Sequence, residues 1–322
     1  MNEGAADSTK MTPLERLARD FLANCRARNL SARTIEQVYR PRLENLFLPW
    51  CRAEGITEVG EIDQRVLDRW SGGLLERGGE RKAKLSPVTV ASYARSINSF
   101  LAWAKAEKED VKGKVAMPKL PERHIPVLSR DEIDRMEKAA GNERDKLIVR
   151  TLADTAVRVE ELVGLTTEDI KDEDRRDYLL VHGKAGARVS TRDRLVPIPP
   201  ALARRLRRYA RSRPHDARTN RLFLGLRRDM RTGEYQPLTA SGVEQMIRFV
   251  AQEANIGRRV YPHLFRHSYA TFMLQRDKEG RRRMDSTELR KILGHKNTVM
   301  IDRTYAHLLD SDIADSAIRA LS

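Results

Sequence analysis

The sequence predicts a mainly α-helical chain of two domains: an N-terminal helical bundle, followed by a mixed α+β domain with a small β-sheet. Three observations predict it. At 322 residues the chain exceeds one ordinary domain. Apolar residues recur at three- and four-residue spacing through residues 12–108. Two short strand-like runs, DYLLVHG (177–183) and RDRLVPI (192–198), interrupt a helical second half.

Residues 1–10, MNEGAADSTK, carry no apolar pattern and read as a disordered N-terminus. Residues 11–108 read as four or five helices: LERLARDFLANCRARNL, SARTIEQVYRPRLENLFLPWCRAEG, the shorter IDQRVLDRWSGGLLERG, and SPVTVASYARSINSFLAWAKAEK. Ser31, Thr57 and Ser86 offer N-terminal caps or turns. Trp50, Trp70 and Trp103 fall on the apolar periodicity and are expected in the core rather than as nucleobase platforms. The two cysteines, Cys25 and Cys51, lack metal-site spacing and are expected as small buried apolar residues.

Residues 109–126, EDVKGKVAMPKLPERHIP, contain three prolines and no clear period, so they read as a linker. Positions 81–120 hold nine Lys or Arg against three acids, a local basicity that suits a linker following a phosphate backbone. Residues 127–322 form the second domain. Ser129 and Glu132 fit a capping box at its start, and helices are expected over 130–140 and 142–155. The strand pair follows, joined by a Gly-containing turn, with another strand expected at RLFLG (221–225) in a mostly helical remainder. RRLRRYARSR (204–213) is the densest basic run, and SDIADSAIRALS (311–322) has the spacing of a short amphipathic helix.

The chain carries 61 Lys and Arg against 46 Asp and Glu, a formal net charge of +15. Such an excess points to a polyanionic partner, most simply nucleic acid, and leaves ribosomal, membrane-surface and nuclease readings open. No run approaches the roughly 20 apolar residues of a membrane span, so no membrane role and a cytoplasmic, nucleoid-associated location are expected.

Several chemistries are disfavoured. Lys184 in HGKAG is followed by Ala185, so there is no phosphate-binding GxxxxGK[ST] loop. His263 and His267 stand at i and i+4, but Arg266 between them would oppose a dication and no glutamate follows His263. Asp172, Glu173 and Asp174 are interleaved with Arg175 and Arg176 and read as a solvated turn. No metal, nucleotide or other cofactor is expected.

Three stretches remain: TAVRVEELVGL (155–165), YPHLFRHSYAT (261–271) and LGHKNTVMIDRTYAHL (293–308). Together with the Gly-Lys turn they resemble the tyrosine recombinase, or phage integrase, family of site-specific DNA recombinases, in order and over about 150 residues. Arg158 and Glu161 match the T-G-x-R motif and its acidic partner, and Lys184 the lysine between two strands. His263 and Arg266 match H-x-x-R, His295 the histidine of L-G-H, and Tyr305 the nucleophile. The resemblance implies that the bundle is a SAM-like core-DNA-binding domain and that the C-terminal helix docks on a neighbouring protomer of a homotetramer on paired sites.

The chemistry explains these residue types. A phosphodiester attacked by a phenolate passes through a pentacoordinate state with extra negative charge on its non-bridging oxygens. Two guanidiniums, Arg158 and Arg266, can stabilise that charge where a metal otherwise would. His263 or His295 can accept the phenol proton, Lys184 is the candidate acid for the leaving 5′ oxygen, and Glu161 would buttress the arginines. Tyr305 would form an ester that conserves the energy of the broken bond. His267 and His307 are expected to pack or hydrogen bond, and His124, His182 and His215 to be incidental.

Two departures from the family pattern stand out. Ala156 occupies the usual glycine position, which suits φ < 0. Tyr305 lies ten residues after His295 rather than nine, and one residue turns a helix by about 100°. The expected activity is integration, excision or resolution through 3′-phosphotyrosyl intermediates and a Holliday junction, on double-stranded DNA, with accessory DNA-bending proteins. The short N-terminus favours a chromosome-dimer or transposon recombinase. The alternatives are a catalytically silent DNA-binding or regulatory protein and a type IB-like topoisomerase.

Overall fold

The computed structural model describes residues 11–77, 85–120, 126–183, 193–275 and 283–294. They fall into two compact units, residues 11–120 and residues 126–294. The fold is mostly helical with small antiparallel sheets, as expected. Among the described residues no helix is long and apolar enough to cross a membrane.

The first unit begins with α1 (Pro13–Ala27), whose N-cap Thr12 and N3 residue Glu15 satisfy each other's backbone amides. One helical run, α2 (32–53), follows, and Ser31 caps it by accepting from the Thr34 amide. Its stretches Ile35–Tyr39 and Leu43–Phe47 are wound as π-helix, so that Arg40 and Leu48 donate to carbonyls five residues back. Pro41 and Pro49 have no amide hydrogen for the usual i−4 carbonyl, and the ladder widens just ahead of each. Helices α3 (Gln64–Arg77) and α4 (Pro87–Ala106) complete the bundle. Ser86 caps α4, whereas the α3 end is satisfied by Asp63, which accepts from the Val66 amide, and Thr57 instead gives its amide to Glu61.

Phe21, Phe47, Trp70 and Phe100 form the bundle's aromatic centre, with Phe47 edge-on to Trp70 at 5.2 Å. Trp70 is buried, and Trp50 and Trp103 pack partly buried against the same core, as do the buried Cys25 and Cys51. The start of the expected linker is held by this unit. Asn98 donates to the Val115 carbonyl at 2.9 Å and accepts from its amide at 2.7 Å, burying Val115 in the bundle core.

In the second unit, α5 (Arg130–Ala139) opens with the Ser129–Glu132 capping box. Next come α6 (Glu143–Thr155), α7 (Val159–Gly164) and the antiparallel strands β1 (Ile170–Glu173), β2 (Arg176–Val181) and β3 (Arg194–Pro197), in the order β1-β2-β3. Helix α8 (Pro200–Arg211), the hairpin β4 (Leu224–Arg228) and β5 (Tyr235–Pro237), and helices α9 (Ala240–Glu253), α10 (Pro262–Leu274) and α11 (Ser286–Leu293) follow. Helix α6 is central, with α5, α8 and α10 packed around it.

The acidic run expected as a solvated turn is corrected by the structure. Asp172 and Glu173 belong to β1, and only Asp174 and Arg175, at φ 49° and 62°, make the turn into β2. Two consecutive left-handed residues are the hairpin geometry that matches strand twist. Their exposed side chains conceal the strand from a hydropathy reading.

Candidate active site

Helix α6 ends where the Ala156 amide bonds the Leu152 carbonyl and Ala156 turns left-handed, at φ 52° and ψ 24°. The negative φ that would suit alanine is therefore not the one adopted. This turn places Arg158 as the extended residue ahead of α7, and Glu161, one turn into the helix, accepts the Arg158 amide at 2.8 Å. Glu161 also accepts Arg158 Nη1 at 2.8 Å and a bidentate fork from Arg194, Nη1 at 3.0 Å and Nη2 at 2.9 Å. Two guanidiniums thus share one carboxylate and the cluster stays net positive. Arg194 is 10 % exposed, whereas Arg158 is 37 % exposed and is the member open to an incoming anion. Burial pushes the Glu161 carboxyl up, but the hydrogen bonds from Arg194 and the Arg158 amide, with both charges, outweigh it and hold the group below its ordinary range.

Arg266 projects from α10 and is 4 % exposed. Its Nη1 donates to the Ala156 carbonyl at 2.6 Å, and its Nη2 donates to the Leu293 carbonyl. The left-handed turn at 156 and the C-terminal end of α11 are therefore bound by one guanidinium. The same helix end receives Arg194 Nε at the Ile292 carbonyl, 2.7 Å away. Carbonyls that a helix C-terminus leaves without partners are thus taken by two cations, which the helix dipole also favours. Gly294 closes α11 at φ 63°. His263, one turn before Arg266, keeps an exposed edge, yet its pKa is lowered, first by the desolvation of its packed side and then by the charges of Arg266 and Arg158. It is therefore a neutral hydrogen-bond acceptor near neutral pH.

The structure brings together Arg158, Glu161, His263 and Arg266 from two separated stretches, with the end of α11 that leads into His295. Lys184, His295 and Tyr305 lie outside the described residues, as do the C-terminal segment and the altered His295–Tyr305 spacing. His267 is buried in α10.

Sequence reasoning missed two groups. Arg194 shares its strand face with the buried Val196, while Leu195, on the opposite face, is 38 % exposed. A charged residue alternating with a core valine was the available signal. His182 is not incidental: its Nε2 faces Asp169 Oδ1 at 2.9 Å and its Nδ1 faces Asp193 Oδ2 at 3.0 Å. A neutral imidazole has one N–H, so two carboxylates in line call for the imidazolium. The hydrogen bonds to Asp169 and Asp193 accordingly raise its pKa.

The sequence model of the Phage integrase family matches residues 126–312. The tyrosine recombinase XerA of Pyrococcus horikoshii is 31% identical over 217 residues, covering 67% of this chain and 69% of that protein. The tyrosine recombinase XerD of Staphylococcus haemolyticus is 25% identical over 298 residues, covering 89% and 91%. Among solved structures, the Tn1549 transposon integrase in complex with transposon right end DNA superposes with a TM-score of 0.69 at 20% identity, covering 97% of this chain and 100% of that one. A lambda integrase dimer bound to a COC′ core site gives 0.62 at 17% identity, covering 90% and 97%.

Proposed function

The chain belongs to the phage integrase family, the tyrosine-type site-specific DNA recombinases, and from this premise we propose the roles of its residues in strand exchange. Tyr305 Oη attacks a phosphodiester; the bond from phosphorus to the 5′ oxygen breaks as the bond to tyrosine forms. The phenol proton passes to His263 or His295, and Lys184 supplies a proton to the departing 5′ oxygen. Arg158 and Arg266 bear the charge that develops on the non-bridging oxygens, and Glu161 holds Arg158 from behind. The free 5′-hydroxyl of a partner strand then reverses the step on the 3′-phosphotyrosyl ester. Exchange of both strand pairs passes through a Holliday junction.

The observation that carries this reading is the double anchorage of Arg266 on the Ala156 and Leu293 carbonyls. It supports one site built from the TAVR, HLFR and LGH stretches. The reaction so written calls for neither metal nor nucleotide, because fixed guanidiniums carry the charge. The substrate is double-stranded DNA at paired sites. The assembly is a tetramer docked through the C-terminal helix, with DNA-bending accessory proteins, in the cytoplasm.

The test is a trapping assay on nicked duplexes taken from the ends of the gene's own genetic neighbourhood, in EDTA. A protein–DNA adduct on a denaturing gel, absent with Tyr305→Phe, is the expected result. Retained DNA binding with no adduct on a correctly chosen site would overturn the roles assigned here in favour of a silent DNA-binding protein.

A further inference from the structure

Resting on that reading, we infer that Arg194 is a positioning residue of the recombination site, joining the Glu161-held Arg158 to the C-terminal end of α11 so that the two keep a fixed separation. Each of its three guanidinium nitrogens donates: Nη1 and Nη2 to the two Glu161 oxygens at 3.0 and 2.9 Å, and Nε to the Ile292 carbonyl at 2.7 Å. Held by these three contacts between Glu161 and the end of α11, it is placed to act through other groups of the site.

The base of this brace is rigid. Arg194 begins β3, is paired with Val181 of β2, and lies on the same strand face as the fully buried Val196. Its far end fixes what can follow α11. A Cβ at Gly294 would stand 3.1 Å from Arg194 Nη1 and 3.2 Å from its Cζ, at a φ of 63° that side chains rarely adopt. Glycine therefore serves both the helix stop and the close passage of the guanidinium. Lysine cannot substitute, because one ammonium cannot span a bidentate carboxylate and a helix-end carbonyl at once.

The loss is thus expected in the rate of the chemical step and not in affinity, since displacing a reacting group by about 1 Å lowers rates about 100-fold. The experiment compares wild type, Arg194→Lys and Glu161→Gln, and the double variant, by single-turnover cleavage of a nicked duplex and by equilibrium DNA binding. Hydrogen exchange of the peptide covering α11 is measured on the same full-length proteins. The expected result is cleavage slowed about 100-fold in Arg194→Lys, binding unchanged within about twofold, faster exchange in the last turn of α11, and no further loss in the double variant. Cleavage within about threefold of wild type, equal losses in binding and cleavage, or unchanged exchange at α11 would each overturn the inference. Absence of an adduct with wild-type protein overturns the recombinase roles instead. The brace itself is then decided by the exchange measurement, which needs no activity.

Discussion

Replacing Ala156 by glycine sets three effects of similar size against one another. Alanine at φ 52° is held in the left-handed region, and relieving it would stabilise by about 1–2 kcal/mol. Against this, the Ala156 methyl is fully buried beside Tyr269, Leu289 and Leu293, and removing it forfeits about 0.8 kcal/mol. Glycine also gives the unfolded chain extra freedom, about 0.4–1 kcal/mol. Ala156→Gly is therefore expected to lie within about 1 kcal/mol of wild type, which is why alanine is tolerated at a left-handed turn. Ala156→Val keeps the strained φ and adds bulk to a site with no exposure, and is expected to cost about 1–3 kcal/mol.

The assay is urea unfolding of the full chain by far-ultraviolet circular dichroism, with tryptophan fluorescence as a control. All three tryptophans, Trp50, Trp70 and Trp103, lie in the bundle, so fluorescence reports that unit while the dichroism transition of the other shifts. A change beyond about 2 kcal/mol for Ala156→Gly, in either direction, would refute the balance. It would show that the methyl is not packed as described or that the turn is unstrained. The Ala156 carbonyl that receives Arg266 survives the substitution, so cleavage should be retained.

Four further outcomes are expected. Glu161→Ala leaves Arg194 buried without its carboxylate and should lower the stability of the second unit by about 3–5 kcal/mol, read as the same dichroism midpoint. Because the Glu161 pKa is lowered in the fold, its stabilisation is present above its unfolded value and is lost as pH falls through the folded one; the wild-type to Glu161→Gln difference should shrink on acidification. His182 behaves oppositely: its raised pKa makes its contribution full below the unfolded value of about 6.5, and lost as pH rises through the folded value. The gap between wild type and His182→Ala should therefore narrow toward alkaline pH in a urea series, and a gap that widens would contradict the imidazolium bridge. In the bundle, Phe100→Ala empties a site with no exposure and should lower the fluorescence midpoint by an amount equivalent to about 3–5 kcal/mol.

The features legible in advance were those whose causes are local. The Ser129–Glu132 capping box, the Ser31 and Ser86 caps, and strands β2 and β3 depend on residues within a few positions of one another. Strand β1 escaped because its exposed acids carry no alternation, and β5 because three residues are too short to show a period. The π segments of α2 were hidden because apolar spacing survives one widened turn. The Val115 clasp was hidden because Asn98 stands far from it in the chain.

For the site, the sequence by itself nominated the candidates: residue type and motif order pointed to Arg158, Glu161, His263 and Arg266, since phosphate chemistry without a metal needs fixed guanidiniums. Only the tertiary structure decided what fixes them. Arg194 stands 33 positions from Glu161 and 98 from Ile292, and Arg266 stands 110 from Ala156. A hydrogen bond between such distant residues leaves no period in the sequence. Alternation could put Arg194 on the inward face of β3, but that it meets Glu161 and the Ile292 carbonyl there is set by how α11 packs against the strand.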